Sequence, residues 1–150
     1  MRRWKIWNDD GSSSLEFITI GVLLLVPMVY LVLAVSSVQA ATLATEGAAR
    51  QAARVYVRAE TEAAAASAAH RAIAFALADD GLDAGDAEIR IDCAPNPGVC
   101  LTRRGTVTVT VRVEVALPLV PDALNFRTSA SVPVQARAAQ QVSRFWGADR

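Results

Sequence analysis

The sequence predicts an α+β protein: a single N-terminal transmembrane helix that continues into a long alanine-rich helix, followed by a small antiparallel sheet of about three strands. Three observations carry that expectation. Residues 17–45 hold no charged side chain, residues 42–78 are dominated by alanine with charges at helical spacing, and from residue 88 onward apolar and polar residues alternate with a period of two.

The first element is the apolar run FITIGVLLLVPMVYLVLAVSSV, from Phe17 to about Val38. A bilayer core takes about 20 apolar residues of helix, and this run supplies them. The core helix of a soluble protein keeps a polar face, whereas Gly21 to Leu33 shows none. Pro27 removes one helix donor and leaves the Leu23 carbonyl without its usual partner. Membrane helices tolerate that loss because neighbouring groups re-satisfy the backbone. A mild kink is the plain expectation, and a bend used in packing against other subunits is the sharper one. Orientation is not set by the positive-inside count. Arg2, Arg3 and Lys5 lie on one side, and Arg50, Arg54 and Arg58 on the other. The short N-terminal segment, a cysteine pair farther on and the motif ahead of the span decide it. They place the N-terminus in the cytoplasm and residues from about 40 onward outside.

That motif reads DDGSSSLEFITIGVLLL. Gly11 precedes a run of serines, Glu16 is the fifth residue after it, and Phe17 opens the apolar run. A carboxylate carried to the bilayer centre costs about 2.5–3.5 kcal/mol, and less near the interface. Glu16 therefore needs an offset. Helix initiation supplies one reading, because Ser13-Ser14-Leu15-Glu16 spells a capping box and glutamate suits a helix N-terminus.

The same residues resemble the class III export signal of type IV pilins and pseudopilins. The resemblance implies cleavage after Gly11 by a membrane-embedded prepilin peptidase, leaving Ser12 as the new N-terminus. The α-ammonium so created has a pKa of about 7.7–8.0 and is largely protonated near neutral pH. Glu16 of one subunit would then neutralise the ammonium of a neighbour, which selects register in a low-dielectric layer. The whole layout is similar to the TadE-like pseudopilins of the tight-adherence (Flp) pilus system, specifically over residues 11–57 and architecturally beyond. Phe17 stands where that family often has tyrosine. The resemblance implies a minor, assembly-supporting subunit whose partners are the prepilin peptidase, other pilin or pseudopilin subunits, the pilus assembly platform and the lipid bilayer. A competing site exists. Val38-Gln39-Ala40 before Ala41 has the small-x-small form of an ordinary signal peptidase site, which would release a soluble chain starting at Ala41. Against it, the apolar region exceeds the usual stretch of about 7–15 residues, and Asp9 and Asp10 occupy a region that should be basic. An uncut signal anchor is the third outcome.

Beyond the span, residues 42–78 favour helix through alanine. Glu46, Arg50, Arg54 and Arg58 fall at four-residue steps, and Glu46–Arg50 and Arg58–Glu62 are helical pairs. One helix is expected to run on to Asp79-Asp80-Gly81, with Gly81 as its cap. Ile89 and Ile91 then alternate with charged residues. Val107, Val109, Val111, Val113 and Val115 alternate with polar ones in the clearest strand of the chain. Ala130, Val132, Val134 and Ala136 form a weaker third strand, placed at a sheet edge by Pro133. Cys93 and Cys100 flank the turn APNPGV, and an exported compartment favours their pairing as a disulfide. ALPLVPDALNF, between the last two strands, is apolar for a loop. It either packs under the sheet or faces a neighbour or the membrane surface. The expected parts are a leader (1–11), a transmembrane helix (12–40), its exported continuation (41–81), a small disulfide-containing β domain (82–137) and a loosely ordered tail (138–150).

Composition excludes other classes. Fifteen basic and fifteen acidic residues balance, which does not fit a nucleic-acid binder. His70 is the single histidine and lies in the alanine-rich stretch, so no conventional triad is spelled. No phosphate loop or metal-ligand cluster appears, and no catalytic residue, cofactor or metal is assigned. An acidic site among Asp79, Asp80, Asp83 and Asp86 is the weak case for a membrane-anchored enzyme. A secreted or anchored extracytoplasmic binding module unrelated to pili is the alternative to the pilin reading.

Overall fold

The structure, a computed structural model, describes residues 12–118 and 131–147. Its elements are α1 (Ser12–Tyr56), α2 (Glu62–Asp79), β1 (Glu88–Ala94), β2 (Thr106–Ala116) and β3 (Ser131–Gln141). The sheet is antiparallel with the order β1-β2-β3, so β2 is central and both neighbours are edges. The α+β class and the three strands expected from the alternation are present.

The outer half of α1 is the spine of the domain. Ala41, Ala44, Thr45, Ala48, Ala49, Ala52, Ala53 and Tyr56 recur at steps of three and four, and all are buried. Small side chains let α1 lie close to α2 and to both β2 and β3. Against this stripe β2 turns Val107, Val109, Val111, Val113 and Val115, all buried, while its other face stays wetter. The register sets Val109 opposite Ile91 and Ala138, and Val111 opposite Ile89 and Ala136. The edge strand thus offers alanines beside the central valines. Thr45 is the buried polar residue of the spine, and its hydroxyl donates to the Ala41 carbonyl at 2.6 Å. α2 buries Ala65, Ala69, Ile73 and Leu77 on one face.

Two expectations are corrected. The long helix does not run unbroken to Gly81. α1 ends at Tyr56, a turn follows, and α2 starts at Glu62 and folds back on α1. The last turn of α1 tightens, with Arg58 donating to Val55 and Ala59 to Tyr56. Thr61 then caps α2 by accepting from the Ala64 N–H at 3.2 Å. Arg58 therefore leaves the helical face it was expected to share with Glu46, Arg50 and Arg54, and the Arg58–Glu62 pair does not form; Glu46–Arg50 does. The expected end at Gly81 holds. Gly81 has φ +70°, and Leu82 and Gly81 donate to Leu77 and Ala78, the two bonds of a Schellman cap. The second correction concerns the tail. β3 runs to Gln141, five residues past the expected Ala136, Val142 is buried, and Trp146 packs on the core. The apolar connection 116–126 lies mostly outside the described residues, which there end at Pro118.

The α1–α2 turn is held by Glu62. One carboxylate oxygen accepts from the Tyr56 hydroxyl at 2.8 Å and the other from the Leu101 N–H at 2.7 Å. The end of α1, the start of α2 and the β1–β2 connection meet on that one side chain. Trp146 closes the turn from the other direction, its indole N–H donating to the Ala59 carbonyl at 3.1 Å. Burial, and then the adjacent Glu62 carboxylate, push the Tyr56 phenol from 10.0 up to about 12.

Two outcomes follow from this packing. Ala52→Leu inserts three carbons where Ala52 has no exposure, and should cost about 1–3 kcal/mol. A urea titration of the detergent-solubilised chain would read this as a lower midpoint at unchanged slope. For Tyr56, both states keep the phenol proton below pH 10. Between pH 10 and about 12 the unfolded chain loses it while the folded chain holds it, so Tyr56 stabilisation is lost as pH rises through that window. The stability advantage of the natural chain over Tyr56→Phe should therefore be constant below pH 10 and shrink above it. An advantage that grows across that window would contradict the assignment.

Candidate functional site

The inner half of α1 is the other face of the architecture. From Ser14 to Val29 every residue is exposed, and the large apolar side chains Leu15, Phe17, Leu23, Leu24, Leu25 and Met28 each keep more than 60 % of their surface open. This shaft is one helix long and apolar enough to span a membrane or to act as a signal sequence. The Thr19 and Ser37 hydroxyls are turned inward along the backbone. Thr19 donates to the Leu15 carbonyl at 2.7 Å, and Ser37 to Ala34 at 2.8 Å. A hydroxyl satisfied in its own helix needs no water, which suits a hydrocarbon surround. The helix continues through Pro27 without interruption.

The residues expected to carry processing and assembly belong to the N-terminal end of this shaft. Gly11 lies outside the described residues, and Ser12 is the first residue of α1. Ser13 lies within α1, one residue after its start. Glu16 and Phe17 are both exposed, Phe17 at 79 %. Among the described residues Glu16 makes no hydrogen bond or ion pair. A carboxylate in the second turn of an otherwise apolar helix therefore has no partner within the described chain.

Cys93 and Cys100 are joined, with their Cα atoms 5.1 Å apart. The bridge spans the β1–β2 connection beside Leu101, whose N–H meets Glu62. It steadies the segment that Glu62 grips. Arg103 and Arg104 follow on the same connection. Gly105 closes it, where a Cβ would come within 3.0 Å of two atoms of Thr102. The Arg103 guanidinium donates to the Trp146 carbonyl at 2.9 Å. The end of the domain away from the shaft is thus a knot of three segments, residues 57–62, 99–105 and 142–147. Sequence reasoning paired Glu62 with Arg58 and gave Trp146 no role. Thr61 just before an acidic residue was the local signal for the helix start; nothing local marks the tryptophan.

His70 is exposed on α2, away from the acidic turn. Among the described residues no three His, Cys, Asp or Glu gather as a metal site. The arrangement is a long N-terminal apolar helix packed against a three-stranded antiparallel sheet with a disulfide, which is a pilin-like architecture. No protein family, no curated protein and no solved structure matches the chain.

The disulfide closes a seven-residue separation and should contribute about 2–3 kcal/mol through loop entropy. The double substitution Cys93→Ser and Cys100→Ser is expected to lower the unfolding free energy by that amount, read as a lower urea midpoint, while leaving the helix of the shaft intact. Loss of that helix in the variant would contradict the separation of shaft and domain.

Proposed function

We propose that the chain is a minor pseudopilin that supports assembly of a tight-adherence type IV-like pilus at the cell envelope. The observation that carries this reading is the exposed apolar shaft, bearing near its N-terminal end a Glu16 with no partner among the described residues, and continuing as the spine of the folded domain. In this reading the shaft spans the bilayer as a single pass, with the N-terminus cytoplasmic and the domain extracytoplasmic. Prepilin peptidase cuts after Gly11. Glu16 then meets the Ser12 ammonium of a neighbouring subunit, and Phe17 lies against the same contact. In hydrocarbon each charge alone is costly, so their pairing favours one register of packing. The role is structural, and no catalytic group is assigned to it.

The rival cut before Ala41 is disfavoured by its setting. Ala40 and Ala41 lie in the middle of an unbroken helix, Ala41 is buried in the domain core, and the Thr42 hydroxyl donates back across the bond to Val38. A peptidase needs an extended, accessible segment. A chain released there would be a secreted binding module unrelated to pili.

Sequencing the mature N-terminus separates these readings. Ser12 supports the pseudopilin, Ala41 the secreted module, and Met1 a plain anchor. Glu16→Ala should leave membrane insertion intact and reduce co-purification with partner subunits by roughly tenfold or more, the scale of a lost buried ion pair. Unchanged assembly of that variant would sink the charge-pairing idea.

A further inference from the structure

Among the described residues, exposed carboxylates gather toward one end of the outer half of α1 and arginines toward the other. Around the close of α2 and the turn into β1, at the end from which the shaft emerges, Asp79, Asp80, Asp83, Asp86 and Glu88 are exposed. Arg112, on the same half of the sheet, is already near Glu114 at 3.7 Å. At the opposite end Arg58, Arg103, Arg104 and Arg144 are exposed, with the exposed Glu60 among them, gathered by the bonds that tie Ala59, Arg103 and Trp146 together. The two ends also differ in shape. The acidic end holds a groove of about 460 Å³ whose floor is Ala40, Leu43, Ala44, Gly47 and Ala76, with Asp79 and Asp80 beside it. Leu43 there is 69 % exposed. The basic end carries a knob: Phe145 is 65 % exposed, and the Arg144 guanidinium lies 4.6 Å from its ring centre. An aromatic ring with a cation beside it matches an apolar floor with an acidic rim in both hydrophobicity and charge.

We propose that the basic end of one copy docks into the acidic-end groove of a second copy, with Phe145 on the apolar floor and Arg144 against Asp79 and Asp80. The contact joins two different surfaces of the same chain, so it propagates head to tail rather than closing a two-fold dimer. It rests on the assembly reading above, for a geometric reason. Ala41 and Tyr56 are about 22 Å apart along α1 at 1.5 Å per residue. Two copies whose shafts lie at the same depth in a bilayer hold these ends apart by that distance. The contact forms only between copies displaced along the helix axis, as in a fibre.

The test uses the full chain, carried in cells with its assembly partners, with a photo-crosslinking phenylalanine analogue in place of Phe145. The expected product is an adduct of two copies, joined from position 145 of one to residues 40–48 or 76–80 of the other. Arg144→Glu should lower its yield roughly tenfold by setting like charges together, and so should the pair Asp79→Arg and Asp80→Arg. Combining the two changes in one chain should restore it. All of these positions are exposed, and formation of the Cys93–Cys100 bridge checks the fold of each variant. Adducts only to other polypeptides or other peptides, or a yield indifferent to the charge reversals, overturn the contact. The mature N-terminus is sequenced in the same sample. A Ser12 start without the adduct overturns the docking alone, whereas an Ala41 start overturns the assembly reading whatever the adduct shows.

Discussion

The seating of β2 on α1 is the contact on which the other elements depend. Five valines of one strand face press on a stripe of alanines from Ala41 to Ala53, and both sides are closed to solvent. Larger residues on α1 would lift the sheet away, and smaller ones on β2 would leave voids, since interiors are packed like crystals. The stripe also has to serve α2, which folds back on the same helix. Alanine is the residue that makes a helix approachable on two sides without weakening its propensity. The alanine-rich composition that reads as a helix preference is therefore also a packing requirement. Among the described residues it leaves the domain with few large core residues: Tyr56 at the end of α1, Ile73 and Leu77 on α2, Leu101 on the disulfide-bridged connection, and the valines.

With so thin an apolar core, polar contacts at the far end carry more weight than usual. Glu62 shows how the competition is decided. An exposed helical pair with Arg58 offers a few tenths of a kcal/mol. Hydrogen bonds from a hydroxyl and a backbone N–H to a carboxylate offer about 1.5–3 kcal/mol each, more when partly dry. The second arrangement requires the chain to break between Tyr56 and Thr61, and that break is what allows α2 to turn back. Trp146 then shields the turn, and Arg103 holds the Trp146 carbonyl in its place.

These magnitudes explain what could be read from sequence. The apolar shaft, the valine alternation of β2, the Gly81 cap and the Cys93–Cys100 pair are local patterns, and each appears in the structure. The helix break is not local. Residues 57–61 hold no glycine or proline, and alanine on both sides favours continuing the helix. Val55, Val57 and the capping Thr61 are only weak counter-signals. What ends α1 is a carboxylate satisfied by Leu101, 39 residues away, and a tryptophan from a tail 87 residues beyond Ala59. Likewise Ala138 and Val142 look unremarkable in a polar tail, and become core only once β3 is laid beside β2 and α1. The residues expected to carry assembly are the reverse case. Glu16 and Phe17 stand out in the sequence because the fold around them has no local use for them, and in the structure they remain exposed.

The division of α1 into two halves bears on what the shaft is for. Its side chains from Ser14 to Val29 rest on nothing in the chain, so they contribute no packing energy to the domain. Ser36, Ser37, Gln39 and Thr42 mark where α1 leaves the core. Beyond them the apolar character strengthens, and the hydroxyls of Thr19, Ser37 and Thr42 bond back to their own helix. Burial of such a surface has to come from outside the chain, at about 25 cal/mol for each Å² removed from water. Lipid supplies it without regard to register. A neighbouring shaft supplies it with register only if some directional group is present, and Glu16 is the directional group at hand. In the proposed assembly, the apolar side chains set how strongly the shaft leaves water, and the single carboxylate sets which neighbour and which alignment it accepts.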